Sequence, residues 1–202
     1  MSPKGGVNMK SRVTAAVLMV CLMIALIPSV SADENSVPDA LSVLMDSRAY
    51  RDYTDEPVSQ GDLDMIIACG LRSPSAVNAQ PWHFTVVLDR ELADRIIPTP
   101  GVVMVISVLP GAGISELNDL VSAFDCGLAV QAMYTAAQAL GLGANIYWIP
   151  VAQVNGTMRE VLAVPDGYEV LMILTVGHID IDAVSSATGR SGTESKVTVI
   201  GE

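Results

Sequence analysis

Positive charge is scarce in this chain: 11 lysines and arginines stand against 22 acids, for a formal net charge of −11. Such a surface repels nucleic-acid phosphate and anionic membrane alike, which excludes both as partners of the folded body. Every arginine that is retained becomes more informative for the same reason. Histidine is scarcer still. His83 and His178 each lie in an apolar strand pattern, where a structural role is expected, and no group of His, Cys, Asp or Glu has metal-ligand spacing. No nucleophile motif occurs, and no repeat of solenoid period is visible. Of 3 cysteines, Cys21 falls in the N-terminal apolar run, which leaves Cys69 and Cys126 in apolar helical patterns. There buried free thiols are expected in preference to a disulfide.

Apolar residues are plentiful. They make up 50% of the sequence, with mean hydropathy +0.44, which is ample for one core in 202 residues. Part of that content belongs to the N-terminus. Lys4, Lys10 and Arg12 precede an apolar run from Val13 to Ile27, followed by Pro28-Ser29-Val30-Ser31-Ala32. This pattern makes residues 1–32 a secretory signal peptide, with Val30 and Ala32 as the small residues before a cut ahead of Asp33. Met9 serves equally well as the start. The alternative is an uncleaved anchor through residues 13–31, since the run approaches the roughly 17 to 20 residues that span a bilayer. Pro28 and the small-residue exit favour cleavage. Either way the domain is expected to be secreted or extracytoplasmic, touching a membrane only if the segment is kept. Cys21 lacks the preceding small residue of a lipoprotein site. Loss of residues 1–32 removes three cations and no acid, so the formal charge moves from −11 to −14.

The rest divides into a domain at 33–181 and an arm at 182–202. Ser36-Val37-Pro38-Asp39 opens a helix. Leu41, Leu44, Met45 and Arg48 continue it at helical spacing, to an end near Ser47–Tyr53. Ser59, with Asp62 three residues on, resembles a capping box for a second helix with Leu63, Ile66, Ile67, Gly70 and Leu71 on one face. Strands are expected at 83–87, 102–109, 145–149 and 168–179, the second buried on both faces, with a short helix or turn at 90–97. Residues 116–140 form a helix that is apolar nearly all round, hence one buried in a core or at a subunit interface, and Gly141-Leu142-Gly143 stops it. Residues 155–163 read as a short helix capped by Asn155; Asn155-Gly156-Thr157 also matches a glycosylation acceptor, a more permissive pattern. Residues 182–195 are small and polar, and Lys196–Ile200 has the β-branched content of a terminal strand. Strands interspersed with helices indicate an α/β or α+β sandwich around one sheet.

Two stretches carry candidate chemistry. Arg48 and Arg51 flank a helix end at i and i+3, so a persisting last turn would aim both at one anion. The alternative is a solvated pair balanced by Asp46, Asp52 and Asp55. The second stretch, residues 72–84, links a helix to a strand and is dense in small polar residues. Pro74 and Pro81 stiffen it, while Ser73, Ser75 and Asn78 offer hydrogen-bonding groups. Trp82 is expected to be a core residue.

In this order and spacing, Ser47-Arg48-Ala49-Tyr50-Arg51-Asp52-Tyr53 is similar to the R-R-S-x-R-x-F/Y motif of nitroreductase-like flavoproteins, and Pro74-Ser75-Ala76-Val77-Asn78-Ala79-Gln80-Pro81-Trp82 to their P-S-x-x-N-x-Q-P-W segment. Asp125–Ala129 through Ala139–Gly143 resembles the central helix and its glycine exit. Val164-Pro165-Asp166-Gly167-Tyr168-Glu169-Val170, then Gly177, completes the likeness, which covers about residues 41–180. The resemblance implies an α+β, three-layer α-β-α sandwich around a mainly antiparallel sheet, with a C-terminal arm exchanged in a homodimer and FMN at the subunit interface. It implies that NAD(P)H supplies electrons for a small-molecule acceptor such as a nitroaromatic or quinone, that the flavin carries the chemistry, and that no side chain is a catalytic nucleophile. By position, Arg48 meets the phosphate or ribityl chain, with Ser47 in the same environment. Arg51 meets the N1/O2 edge; Pro74, Ser75 and Asn78 form the loop contact, and Arg190 meets the phosphate. The family's arginine and serine are replaced by Ser47 and Ala49, the segment between Val87 and Val102 is short, and no twin arginine marks export of a folded holoprotein. The alternative function is therefore a non-catalytic ligand-binding or interaction module on the same fold.

Overall fold

The computed structural model describes residues 40–112, 118–183 and 196–201. The expected signal segment, Arg190 and most of the expected arm lie outside the described residues. Four strands form one sheet: β1 (Trp82–Val87), β2 (Val102–Val108), β3 (Leu142–Tyr147) and β4 (Glu169–His178). Their order is β1-β2-β4-β3, and each neighbouring pair is antiparallel. β2 and β4 are central and buried along nearly their whole length, as the uninterrupted apolar run at 102–109 implies.

Side chains that alternate across the sheet feed two cores. On one face Met104, Ile106, Leu174 and Val176 meet Leu63 and Ile66 of α2 (Gln60–Leu71) and Val130, Met133 and Ala137 of α4 (Asn118–Ala139). On the other, Val103, Val105 and Ile173 meet Ala93 and Ile96 of α3 (Arg90–Ile96), with Met158 and Leu162. Helices on both faces of an antiparallel sheet make the three-layer α-β-α sandwich. The capping box forms at the head of α2: Ser59 Oγ accepts from the Asp62 N–H at 3.1 Å and donates to the Asp62 carboxylate at 2.7 Å. Cys69 and Cys126 are free, and Trp82 is buried.

Several boundaries differ from the sequence expectation. The first helix, α1 (Ala40–Asp46), stops before Ser47, so Arg48 and Arg51 stand in extended chain and share no helical turn. β3 starts at Leu142, immediately after the left-handed Gly141, because one glycine suffices to end α4. Asn155 caps nothing. It lies inside a π-turn (Val154–Met158) that follows a short helix (Val151–Gln153), and its amide pairs with both backbone groups of Val170 at 2.9 and 3.0 Å. Residues 196–201 form no strand among the described residues, and Val199 and Ile200 are exposed.

Tyr53 makes the most specific contact of the sheet. Its ring lies against Gly101, Gly143 and Gly177, where a Cβ would come within 2.9, 3.0 and 2.7 Å of it respectively. Three glycines from separate parts of the chain thus leave a trench for the ring, Gly101 also making room for the Val176 carbonyl and Gly143 for Tyr50 Cβ. The hydroxyl donates to the Tyr50 carbonyl at 2.7 Å and lies 3.0 Å from Thr175 Oγ1. Burial raises the phenol pKa above its usual value, so it remains a proton donor at any physiological pH.

Candidate functional site

The trench fixes the chain that carries the arginines. Tyr50 N–H donates to Ala144 O and Thr54 N–H to His178 O, both at 2.9 Å, so residues 50–54 are laced to β3 and the end of β4. Arg48 N–H donates to Gln138 Oε1 at 3.2 Å, which ties the segment to the last turn of α4. The Arg48 side chain folds over the Tyr50 ring, 5.0 Å from its centroid, and its Nε donates to the Tyr50 hydroxyl at 2.9 Å. Arg51 is exposed. Among the described residues no ion pair joins either arginine to Asp46, Asp52 or Asp55. A guanidinium without an internal carboxylate is available to an external anion.

The polar loop is held differently. Ser75 precedes a single 3₁₀ turn (Ala76–Asn78), and its Oγ accepts from the Gln80 N–H at 3.0 Å, leaving the hydroxyl proton to donate outward. Pro74 and Asn78 are exposed, Ser75 half-buried. Val77, Asn78 and Gln80 take φ of 47°, 58° and 48°. Left-handed backbone is ordinary for Asn, whereas a β-branched Val there is strained by about 1 to 2 kcal/mol. Val77→Gly is therefore expected to raise the thermal midpoint by roughly 2 to 4 °C, the shift that about 1 kcal/mol produces in a domain of this size. Calorimetry on the ligand-free protein checks this. Sequence reasoning missed the loop's anchor. Asp125, 5% exposed on α4, accepts the Ala76 N–H through Oδ2 at 3.0 Å.

The two stretches do not meet in one chain. Arg48 is bonded to Gln138 and the loop to Asp125, thirteen residues earlier on the same helix, which at about 1.5 Å per residue separates the anchors by roughly 20 Å. Ser47 and Arg48 are half-buried beside the end of α4, and Pro74, Ser75 and Asn78 lie beside its first half. Leu120, Phe124 and Leu128 form a stripe on that first half at i, i+4 and i+8; each is at least 50% exposed, so the sandwich covers only one side of this apolar helix. His83, half-buried against Tyr168, has its pKa lowered by burial and is neutral at pH 7. Among the described residues no group of His, Cys, Asp and Glu could hold a metal.

Known proteins resemble this chain over the same elements. The model of the nitroreductase family matches residues 44–100 and 114–178. A provisionally named NADH dehydrogenase/NAD(P)H nitroreductase of Archaeoglobus fulgidus is 28% identical over 152 residues, spanning 69% of this chain and 85% of that one. An FMN reductase [NAD(P)H] of Bacillus subtilis is 30% identical over 167 residues, spanning 69% and 66%. Among solved structures, a provisionally named nitroreductase of Desulfovibrio desulfuricans in complex with FMN superimposes with a TM-score of 0.68. That pair is 27% identical over 81% of this chain and 98% of the other. The chain belongs to the nitroreductase family.

Proposed function

We propose that this member of the nitroreductase family is an exported FMN-dependent NAD(P)H oxidoreductase whose cofactor site is completed by a second copy of the chain. The observation that carries the reading is the placement of the two half-sites. An arginine segment with no carboxylate partner among the described residues and a polar loop sit at separate stations on one helix, their anchors roughly 20 Å apart. A two-fold related copy would bring one chain's arginines to the other chain's loop. The exposed Leu120, Phe124 and Leu128 stripe supports the same arrangement, as a helix face that a second copy would bury.

The residues fit an anionic, planar ligand. Arg48, already oriented by Tyr50 and Gln138, would hold the phosphate or the ribityl chain. Arg51 would place its charge at the N1/O2 edge of the ring. Ser75 and Asn78 would supply hydrogen bonds from the partner loop, with Pro74 fixing its entry, and Ser47 and Arg190 complete the proposed set. FMN, when bound, supplies the two-electron exchange between NAD(P)H and a small-molecule acceptor such as a nitroaromatic or quinone. The chain's own part is to bind, orient and charge-balance, which suits a site with no acid-base histidine. Export rests on the Lys4–Ala32 pattern.

Purified protein is expected to be yellow, or to become so when FMN is added, and to bleach anaerobically on addition of NADH or NADPH. Colourless protein that takes up no FMN would sink the enzyme reading in favour of a ligand-binding module.

A further inference from the structure

We infer that Asp125 is a positioning residue of the site, holding the 75–80 loop in a strained, ligand-ready form that the chain would otherwise relax. The inference rests on the flavin-binding reading above. Within the fold Asp125 serves to anchor this loop and does not join the apolar cores. It occupies a core-facing position beside buried Cys126 and Ala129, where an apolar side chain would pack and where burying an acid is costly. Among the described residues its hydrogen bond is to the Ala76 amide, the first residue of the turn that holds the left-handed Val77 and Asn78, with left-handed Gln80 just beyond. A β-branched residue persists in that conformation only where its surroundings over-determine it. Two staples meet that requirement here: Asp125 on the Ala76 N–H and Ser75 Oγ on the Gln80 N–H, both at 3.0 Å. Between them lie Val77, Asn78 and Ala79, the stretch whose amides and side chains the partner's ligand would meet. An acid buried at a cost, spent on one loop amide, is explained by what the loop must do.

Opposite effects on stability and binding test this. Asp125→Ala is expected to leave the apoprotein as thermostable as the parent or more so, while weakening FMN about tenfold, because the competent loop becomes a minority conformer. Asp125→Asn keeps an acceptor for the Ala76 N–H and is expected to bind FMN within about twofold of the parent. Val77→Gly removes the strain while keeping the left-handed turn; it is expected to bind FMN at least as tightly as the parent, and to restore affinity in the Asp125→Ala background. Affinity is read by quenching of flavin fluorescence and stability by calorimetry of apoprotein. Parent-like FMN affinity in Asp125→Ala overturns the inference and leaves the flavoprotein reading intact. So does a destabilised Asp125→Ala whose affinity loss Asp125→Asn does not rescue. Should Asp125→Ala not fold, Asp125→Leu, an apolar side chain of similar size without the acceptor, decides: unchanged FMN affinity there overturns it. A parent protein that binds no FMN overturns both readings.

Discussion

Chains carrying Arg48→Ala with Arg51→Ala, mixed with chains carrying Ser75→Trp, are expected to recover FMN binding that neither possesses alone. Each lesion by itself should abolish binding at micromolar flavin. Removing two charge-assisted contacts is worth roughly 3 to 6 kcal/mol in all, and a bulky side chain both blocks the loop and breaks its Ser75–Gln80 staple. A mixed dimer concentrates both lesions in one of its two sites and leaves the other wholly parental. With random pairing half the dimers are mixed, so about one quarter of the sites return. Equilibrium dialysis against FMN after co-refolding gives the stoichiometry. No recovery, with dimers formed, would mean that each site is built by a single chain and that the roughly 20 Å between the Gln138 and Asp125 anchors has been misread.

Alanine at position 177 is expected to be among the most destabilising single substitutions available. Its Cβ would lie 2.7 Å from Tyr53 Cγ and 2.9 Å from Tyr53 Cβ, atoms next to the backbone that no rotation of the ring can remove. Residues 50–54 would have to lift from the sheet, losing the bonds to Ala144 and His178 and exposing a ring now only 6% accessible. Overpacking of this kind costs about 1 to 3 kcal/mol before the lost bonds are added. Gly70→Ala is a useful contrast. There the new Cβ meets Met133 Cγ and Sδ, part of a flexible chain that can swing aside. Urea titration should therefore rank Gly177→Ala well below Gly70→Ala. In a Tyr53→Gly background, which removes the Cβ as well as the ring, Gly177→Ala should be close to silent, since the clashing atoms all belong to Tyr53. Equal costs in both backgrounds would remove Tyr53 as the source of the clash.

How much of this was legible in the sequence depended on how local the determinant was. The Ser59–Asp62 box, the β2 run and the glycine exit of α4 are decided within a few residues and appear as expected. The end of α1 was misjudged because residues 47–53 have no breaker of their own; they are drawn out by bonds to β3 and β4, which come about 90 and 125 residues later. Gly143 looked like punctuation, whereas it makes room for Tyr50 Cβ and the Tyr53 ring. Asn155 looked like a cap because its preference for capping is local and its bond to Val170 is not. For the proposed site, the loop and the two arginines are singled out by residue order. Their separation along α4 and the grip of Asp125 exist only in three dimensions: an acid in an apolar helix carries no mark of the amide it will hold.

The spacing of the two anchors on α4 also bears on how the protein behaves in dilute solution. If a ligand is gripped by arginines from one chain and a loop from another, its apparent affinity contains the association constant of the chains. Mass action then runs both ways: flavin would tighten the dimer, and diluting the protein would release flavin with no change in any residue that touches it. Were the chain exported as proposed, to where concentration falls with distance, possession of the cofactor would become a measure of how many copies are near.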